Sequence, residues 1–96
     1  MAGMTAATHP PLPSRFWADL STRDFTGLRA SGQARQTVAV LPVAAIEQHG
    51  PHLPLSVDAT LLQGVMDAAL QLLPAALPVL FLPPQVVGLS PEHIRF

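Results

Sequence analysis

The sequence predicts an α/β fold, and three consecutive patterns carry that prediction. Residues 37–43 form a continuous apolar run rich in β-branched side chains, which is typical of a strand covered on both faces in a parallel sheet. Residues 59–73 repeat apolar side chains at spacings of three and four, which indicates an amphipathic helix. Residues 77–82 form a second apolar run. Strand, helix and strand in this order predict one right-handed βαβ unit.

Proline residues mark the predicted ends of the first strand and of the helix. Pro42 predicts that pairing of the first strand weakens near its end, because proline has no amide proton to give to a ladder. The helix is expected to end before Pro74. Its apolar and polar positions separate into two groups, namely Leu61, Leu62, Val65, Met66, Leu70 and Leu73 against Thr60, Gln63, Asp67 and Gln71.

The N-terminal part is expected to hold a tail and two short helical segments. Residues 1–14 are predicted to be a disordered tail, and residues 15–96 to be the N-terminal part of one domain. Residues 14–20 predict a helical turn that Ser14 could cap. Ser21 or Thr22 could cap a second short helix that runs to residue 28, before the Ser-Gly break at residues 31–32.

Composition limits the classes of function. Ninety-six residues make one small domain or a piece of a larger one, and 49% hydrophobic against 11% charged residues excludes a disordered chain. Five Arg, no Lys and a net charge of -1 argue against nucleic acid and anionic membranes as partners. The longest apolar run, residues 72–82, is too short for a membrane span and contains two prolines. The absence of cysteine and of a secretory signal favours a cytoplasmic location.

The segment between the first strand and the helix concentrates groups that can bind a metal. Four of the ten Asp, Glu and His residues lie at positions 47, 49, 52 and 58. Glu47 and His49 are two apart in an extended segment and therefore project to one side. Asp58 follows at the start of the helix, where the amide dipoles favour a negative charge that could bridge two cations. Loops that follow parallel strands open on one edge of the sheet, where ligands bind. The pattern predicts a zinc or manganese site.

Simpler readings of the same residues stay open. Asp58 could be an ordinary helix N-cap, and Glu47 an ordinary surface carboxylate. A Glu-x-His spacing also occurs by chance in many chains. His52 is interpreted as a hydrogen-bond donor that orients a metal ligand, or otherwise as a turn residue. The loop after the second strand carries Glu92 and His93, which could add ligands or substrate contacts.

Residues 38–58, which read VAVLPVAAIEQHGPHLPLSVD, resemble the signature of the creatininase family of metal-dependent amidohydrolases. Residues 17–25 and 82–93 also resemble family segments, so the likeness covers about residues 15–96. The resemblance implies a three-layer α/β/α fold with a mainly parallel sheet. It also implies that Glu47, His49 and Asp58 hold a pair of divalent metal ions, with Asp58 bridging them.

The resemblance further implies a function and a missing part. Family members hydrolyse non-peptide or cyclic amide C–N bonds through metal-activated water, so the substrate would be a small amide. They are much longer, supply a further His and Glu to the metals, and continue into Phe-Pro-Gly-Thr where this chain stops at Phe96. We therefore expect a truncated form that is inactive alone, or a catalytically silent subunit that needs a partner chain. The full-length parent is expected to be a homo-oligomer.

Overall fold

A computed structural model of the protein describes residues 10–88. The chain forms two compact units. The first comprises the chain up to Val40 together with Leu73–Pro83, and the second comprises Leu41–Leu72 with the chain from Pro84 onward. Helix α1 is Thr22–Ala30, strand β1 is Val38–Val40, helix α2 is Val57–Leu72 and strand β2 is Val79–Phe81. Neither helix in the described part of the chain is long and apolar enough to cross a membrane.

The sheet of the first unit is parallel. Val38 is in register with Val79, and Val40 is in register with Phe81. The Val38 amide donates to the Pro78 carbonyl at 2.8 Å. Parallel strands with α2 between them in sequence confirm the predicted α/β class, whereas the three-layer arrangement stays a prediction.

Both strands are shorter than predicted. β1 ends at Val40 because Pro42 cannot donate to a ladder, as the sequence indicated. The side chains of the two strands also differ in burial. Leu80 and Phe81 of β2 are buried, but Val38 of β1 is 58% exposed. Coverage of both faces, which is typical of an apolar run such as residues 37–43, is therefore not present for β1 among the described residues.

Short local hydrogen bonds shape the N-terminal helices. Ser21 caps α1, because its Oγ accepts from the Asp24 amide at 3.2 Å and Asp24 Oδ2 accepts from the Ser21 amide at 2.8 Å. Before it, residues 17–19 form one turn of 3-10 helix. Ser14 does not cap this turn, because the turn begins too late in the chain. The Ser14 hydroxyl accepts from the Phe16 amide at 3.1 Å instead.

Arg15 ties the N-terminal segment to the connection that follows α2. Its guanidinium donates to the carbonyl oxygens of Pro74, Leu77 and Val79, the last at 3.1 Å. Its own carbonyl accepts from the Phe81 amide at 2.7 Å. One side chain therefore satisfies three carbonyl oxygens that belong to residues about sixty positions away.

Replacing Arg15 should destabilise the protein measurably. Arg15→Met keeps an apolar stem but removes every donor, so we expect the free energy of unfolding to fall by about 2 kcal/mol in urea titrations. Arg15→Lys should recover only part of the loss, because one ammonium cannot reproduce the planar fork of a guanidinium. Arg29→Met on α1 is the matched control and should change stability by less than about 0.5 kcal/mol. Equal effects at the two positions would contradict the assigned role of Arg15.

Candidate metal centre

The loop that leads from β1 to α2 is fixed near its start by two backbone hydrogen bonds within the second unit. The Ala44 amide donates to the Gln85 carbonyl at 2.9 Å, and the Gln85 amide donates to the Pro42 carbonyl at 2.8 Å. Pro42 itself is buried. The segment that carries the predicted ligands therefore begins next to backbone groups that are hydrogen-bonded to Gln85.

Glu47, His49 and Asp58 converge as the sequence predicted. Each offers one ligand atom, these atoms all lie within 4.8 Å of one another, and all three residues are half-buried. Ligand atoms bound to one ion at about 2.0–2.2 Å lie within about 4.4 Å of each other, so small side-chain adjustments would fit the group around a cation. Two carboxylates and an imidazole are also donors that zinc and manganese accept.

The orientation of the His49 ring follows from one hydrogen bond. Its Nδ1 lies 3.0 Å from the backbone carbonyl oxygen of Glu47. A carbonyl only accepts, so Nδ1 carries the proton and Nε2 of the neutral ring is left as a lone pair. Metal-binding histidines are commonly oriented by such a bond from the other ring nitrogen.

The His49 Nε2 atom faces a carboxylate. It lies 3.3 Å from Asp58 Oδ1, and the two side chains are 25% and 34% exposed. With Nδ1 as the donor to Glu47, a lone pair on Nε2 would confront a negative oxygen. A divalent cation held between these two atoms would be attracted to both, so the contact fits the donor set of a metal site.

Two further residues shape the turn after His49. Gly50 has φ +80°, a left-handed conformation that favours glycine, and its amide donates to Gln48 Oε1 at 3.0 Å. The sequence analysis assigned no role to Gln48, whose side chain holds that turn, and no spacing rule would have found this contact.

Asp58 lies inside α2 rather than before it. The helix begins at Val57, and Asp58 is the acidic residue of its first turn. Asp58 is therefore not the N-cap of this helix, which was the simpler alternative. The carboxylate still benefits from the helix dipole, because the first-turn amides leave positive charge near it.

The other predicted site residues lie apart from this group or outside the described residues. His52 is exposed, and its ring lies near Gly50, where a Cβ added to the glycine would be 3.9 Å from the ring carbon Cε1. His52 is not a member of the three-residue group. Glu92 and His93 lie outside residues 10–88.

Comparisons with known proteins show which family the chain resembles. The sequence model of the Creatininase family, described as creatinine amidohydrolase, matches residues 18–96. The mycofactocin precursor peptide peptidase of Mycolicibacterium smegmatis is 36% identical over 61 residues, which are 62% of this chain and 25% of that protein. A solved structure of a mutant creatininase matches with a TM-score of 0.55 and 29% identity, over 78% of this chain and 26% of that one. The chain thus spans about a quarter of the length of these relatives.

Proposed function

Because the chain belongs to the creatininase family, we propose that it is the metal-binding N-terminal part of an amidohydrolase that cleaves a non-peptide or cyclic amide C–N bond. The observation that carries the proposal is the convergence of Glu47, His49 and Asp58 within 4.8 Å. Zinc or manganese fits this donor set, and a dinuclear site would use Asp58 as the bridge.

A bound divalent cation supplies Lewis acidity, which polarises an amide carbonyl and makes water easier to deprotonate. Residues of this chain would bind the cation. Glu47 and Asp58 contribute negative charge, and His49 contributes a nitrogen whose direction is set by its hydrogen bond to the Glu47 carbonyl. His52 is a candidate for substrate contact, because its exposed ring lies on the same loop. The small amide substrate, the cytoplasmic location and a homo-oligomeric parent are parts of the same proposal.

A second candidate function is that of a catalytically silent subunit that needs a partner chain. The exposure of Val38, Leu41 and Val43 favours it, since apolar side chains around a short strand call for a covering element. Restored hydrolysis after mixing with the longer remainder of a relative would support a complementing subunit. Metal binding without any restored hydrolysis would support a silent one.

Calorimetric titration of the 96-residue chain with Zn²⁺ and with Mn²⁺ tests the site directly. We expect a dissociation constant roughly between 1 µM and 1 mM, because three protein donors leave an ion under-coordinated. His49→Ala should weaken binding at least about tenfold, in the range seen when metal-site residues are removed. His52→Ala is the matched histidine control and should leave the affinity within about twofold. Equal losses from the two variants would contradict the assignment.

A further inference from the structure

Two of the three candidate ligands, Glu47 and His49, lie in an irregular part of the chain. Residues 44–50 form neither helix nor strand, so no repeating ladder of hydrogen bonds fixes their backbone. A metal site on such a segment has to order the backbone when the ion binds, and this ordering costs conformational entropy. Ligands that are already held in place avoid that cost. The hydrogen bonds within residues 47–50 therefore bear directly on metal affinity.

Two hydrogen bonds between a side chain and the backbone enclose this segment. His49 Nδ1 lies 3.0 Å from the Glu47 carbonyl oxygen, which belongs to the peptide plane between Glu47 and Gln48. Gln48 Oε1 accepts from the Gly50 amide at 3.0 Å, and this amide belongs to the peptide plane between His49 and Gly50. The two bonds therefore orient the peptide planes before Gln48 and after His49.

Gly50 shows why the second of these bonds matters. Its φ of +80° is allowed for glycine but not imposed by it, because glycine adopts positive and negative φ about equally readily. Close packing does not select the turn either, since the nearest described atom to a Cβ added here would be His52 Cε1 at 3.9 Å. The structure places the Gln48 oxygen on the Gly50 amide, and this bond holds the peptide plane from which the turn starts.

We propose that Gln48 is a positioning residue for the candidate metal centre, because its bond to the Gly50 amide holds the His49 backbone so that Nε2 faces Asp58. The inference rests on the proposed function, since it concerns the same site. His49 Nε2 lies 3.3 Å from Asp58 Oδ1, so a small rotation of the His49 backbone would separate the two ligands. The neutral amide of Gln48 adds no charge for a cation, and its contribution is to the geometry of the site.

Calorimetric titration of the 96-residue chain with Zn²⁺ tests this role through affinity. Gln48→Met keeps the length of the side chain but removes the acceptor, so we expect the dissociation constant to rise about fivefold, the effect of one lost neutral hydrogen bond. Gln48→Asn should return it to within about twofold of the parent, because an asparagine oxygen commonly accepts from the backbone amide two residues on.

A second glutamine provides the matched control for this titration. Gln63 is exposed on α2 and donates to Asp67 Oδ1 at 2.9 Å, so Gln63→Met also removes one side-chain hydrogen bond. Its dissociation constant for Zn²⁺ should stay within about twofold of the parent. Equal losses from Gln48→Met and Gln63→Met would overturn the proposal, and so would a failure of Gln48→Asn to restore the affinity.

NMR spectroscopy of the metal-free chain measures the same effect without any ion. Gln48→Met should accelerate hydrogen exchange of the Gly50 amide and weaken the nuclear Overhauser effect between the His49 ring and the Asp58 side chain. Amides in the middle of α2 should exchange as in the parent. An unchanged Gly50 exchange rate or an unchanged His49–Asp58 signal would overturn the proposal. Faster exchange throughout α2 would also overturn it, because the variant would then have lost stability in general.

The two measurements separate this inference from the proposed function. A parent chain that binds neither Zn²⁺ nor Mn²⁺ would overturn the proposed metal centre, and the NMR measurement would still decide whether Gln48 orients His49. Tight metal binding that Gln48→Met leaves unchanged would support the metal centre and overturn the role of Gln48.

Discussion

Asp58→Ala should abolish amide hydrolysis in a creatininase whose N-terminal segment is replaced by this chain. The Asp58 carboxylate lies 3.3 Å from His49 Nε2 at the meeting point of the three donors, so its removal takes away both a ligand and a negative charge. We expect kcat/KM for creatinine or a formamide to fall at least about 10³-fold, which corresponds to about 4 kcal/mol of transition-state stabilisation. Steady-state kinetics with saturating Zn²⁺ or Mn²⁺ measures the loss.

The same helix offers a matched control for this variant. Asp67 is an exposed carboxylate that accepts a hydrogen bond from Gln63 Nε2 at 2.9 Å, and Asp67→Ala should leave kcat/KM within about twofold. We expect no hydrolysis by the 96-residue chain alone, because the three donors found among residues 10–88 are too few for the dinuclear site that we propose. Substantial activity of the Asp58→Ala chimera would show that amide hydrolysis does not depend on this site.

Leu80→Ala is expected to leave most molecules unfolded at room temperature. Leu80 on β2 is only 2% exposed, and replacing a buried leucine with alanine removes about 3 kcal/mol of stability. Among the described residues, the buried apolar side chains of the first unit are few, namely Leu28, Leu80 and Phe81. A core of this size supplies only a few kcal/mol in total. Urea titration followed by circular dichroism should therefore show the variant largely unfolded before denaturant is added.

Leu55→Ala removes the same atoms from an exposed loop position and serves as the control. Its free energy of unfolding should change by less than about 0.5 kcal/mol. If both leucine variants kept the stability of the parent, the small core seen around β2 would not hold the fold together.

The fold could be predicted from the sequence to the level of its elements. The helix predicted over residues 59–73 is α2, Val57–Leu72, because its apolar periodicity is long and regular. The bounds of the strands were harder to predict, because an apolar run does not reveal how many neighbouring strands will pair with it. Residues 37–43 contain only the three-residue strand β1, where β2 supplies the hydrogen bonds.

The helix also shows what periodicity cannot settle. Leu61 and Val65 belong to the predicted apolar side of α2, yet both are exposed in the folded chain. A wide apolar arc indicates burial somewhere, but it does not say which half of the arc is buried in the described chain and which half is exposed. Only the folded chain distinguishes Met66 from its exposed neighbours.

The convergence of the candidate ligands was predictable, because they lie within one twelve-residue segment. Glu47, His49 and Asp58 were singled out together from their spacing and the family resemblance, and the structure brings their ligand atoms together, while their role as metal ligands stays a prediction. The direction of the His49 ring was not predictable, because it depends on a hydrogen bond to a backbone carbonyl two residues earlier. The same holds for the contact of Gln48 with the Gly50 amide.

The contacts of Arg15 also determine when the N-terminal segment can fold during synthesis. Its partners at Leu77 and Val79 lie 62 and 64 residues further along the chain. At roughly 5–20 residues per second, these carbonyl groups emerge from the ribosome several seconds after Arg15 does. During that interval Trp17 and Phe25, whose ring centroids are 4.5 Å apart in the folded chain, must remain without the strand they accompany. The N-terminal segment can therefore reach its folded contacts only after β2 has been translated.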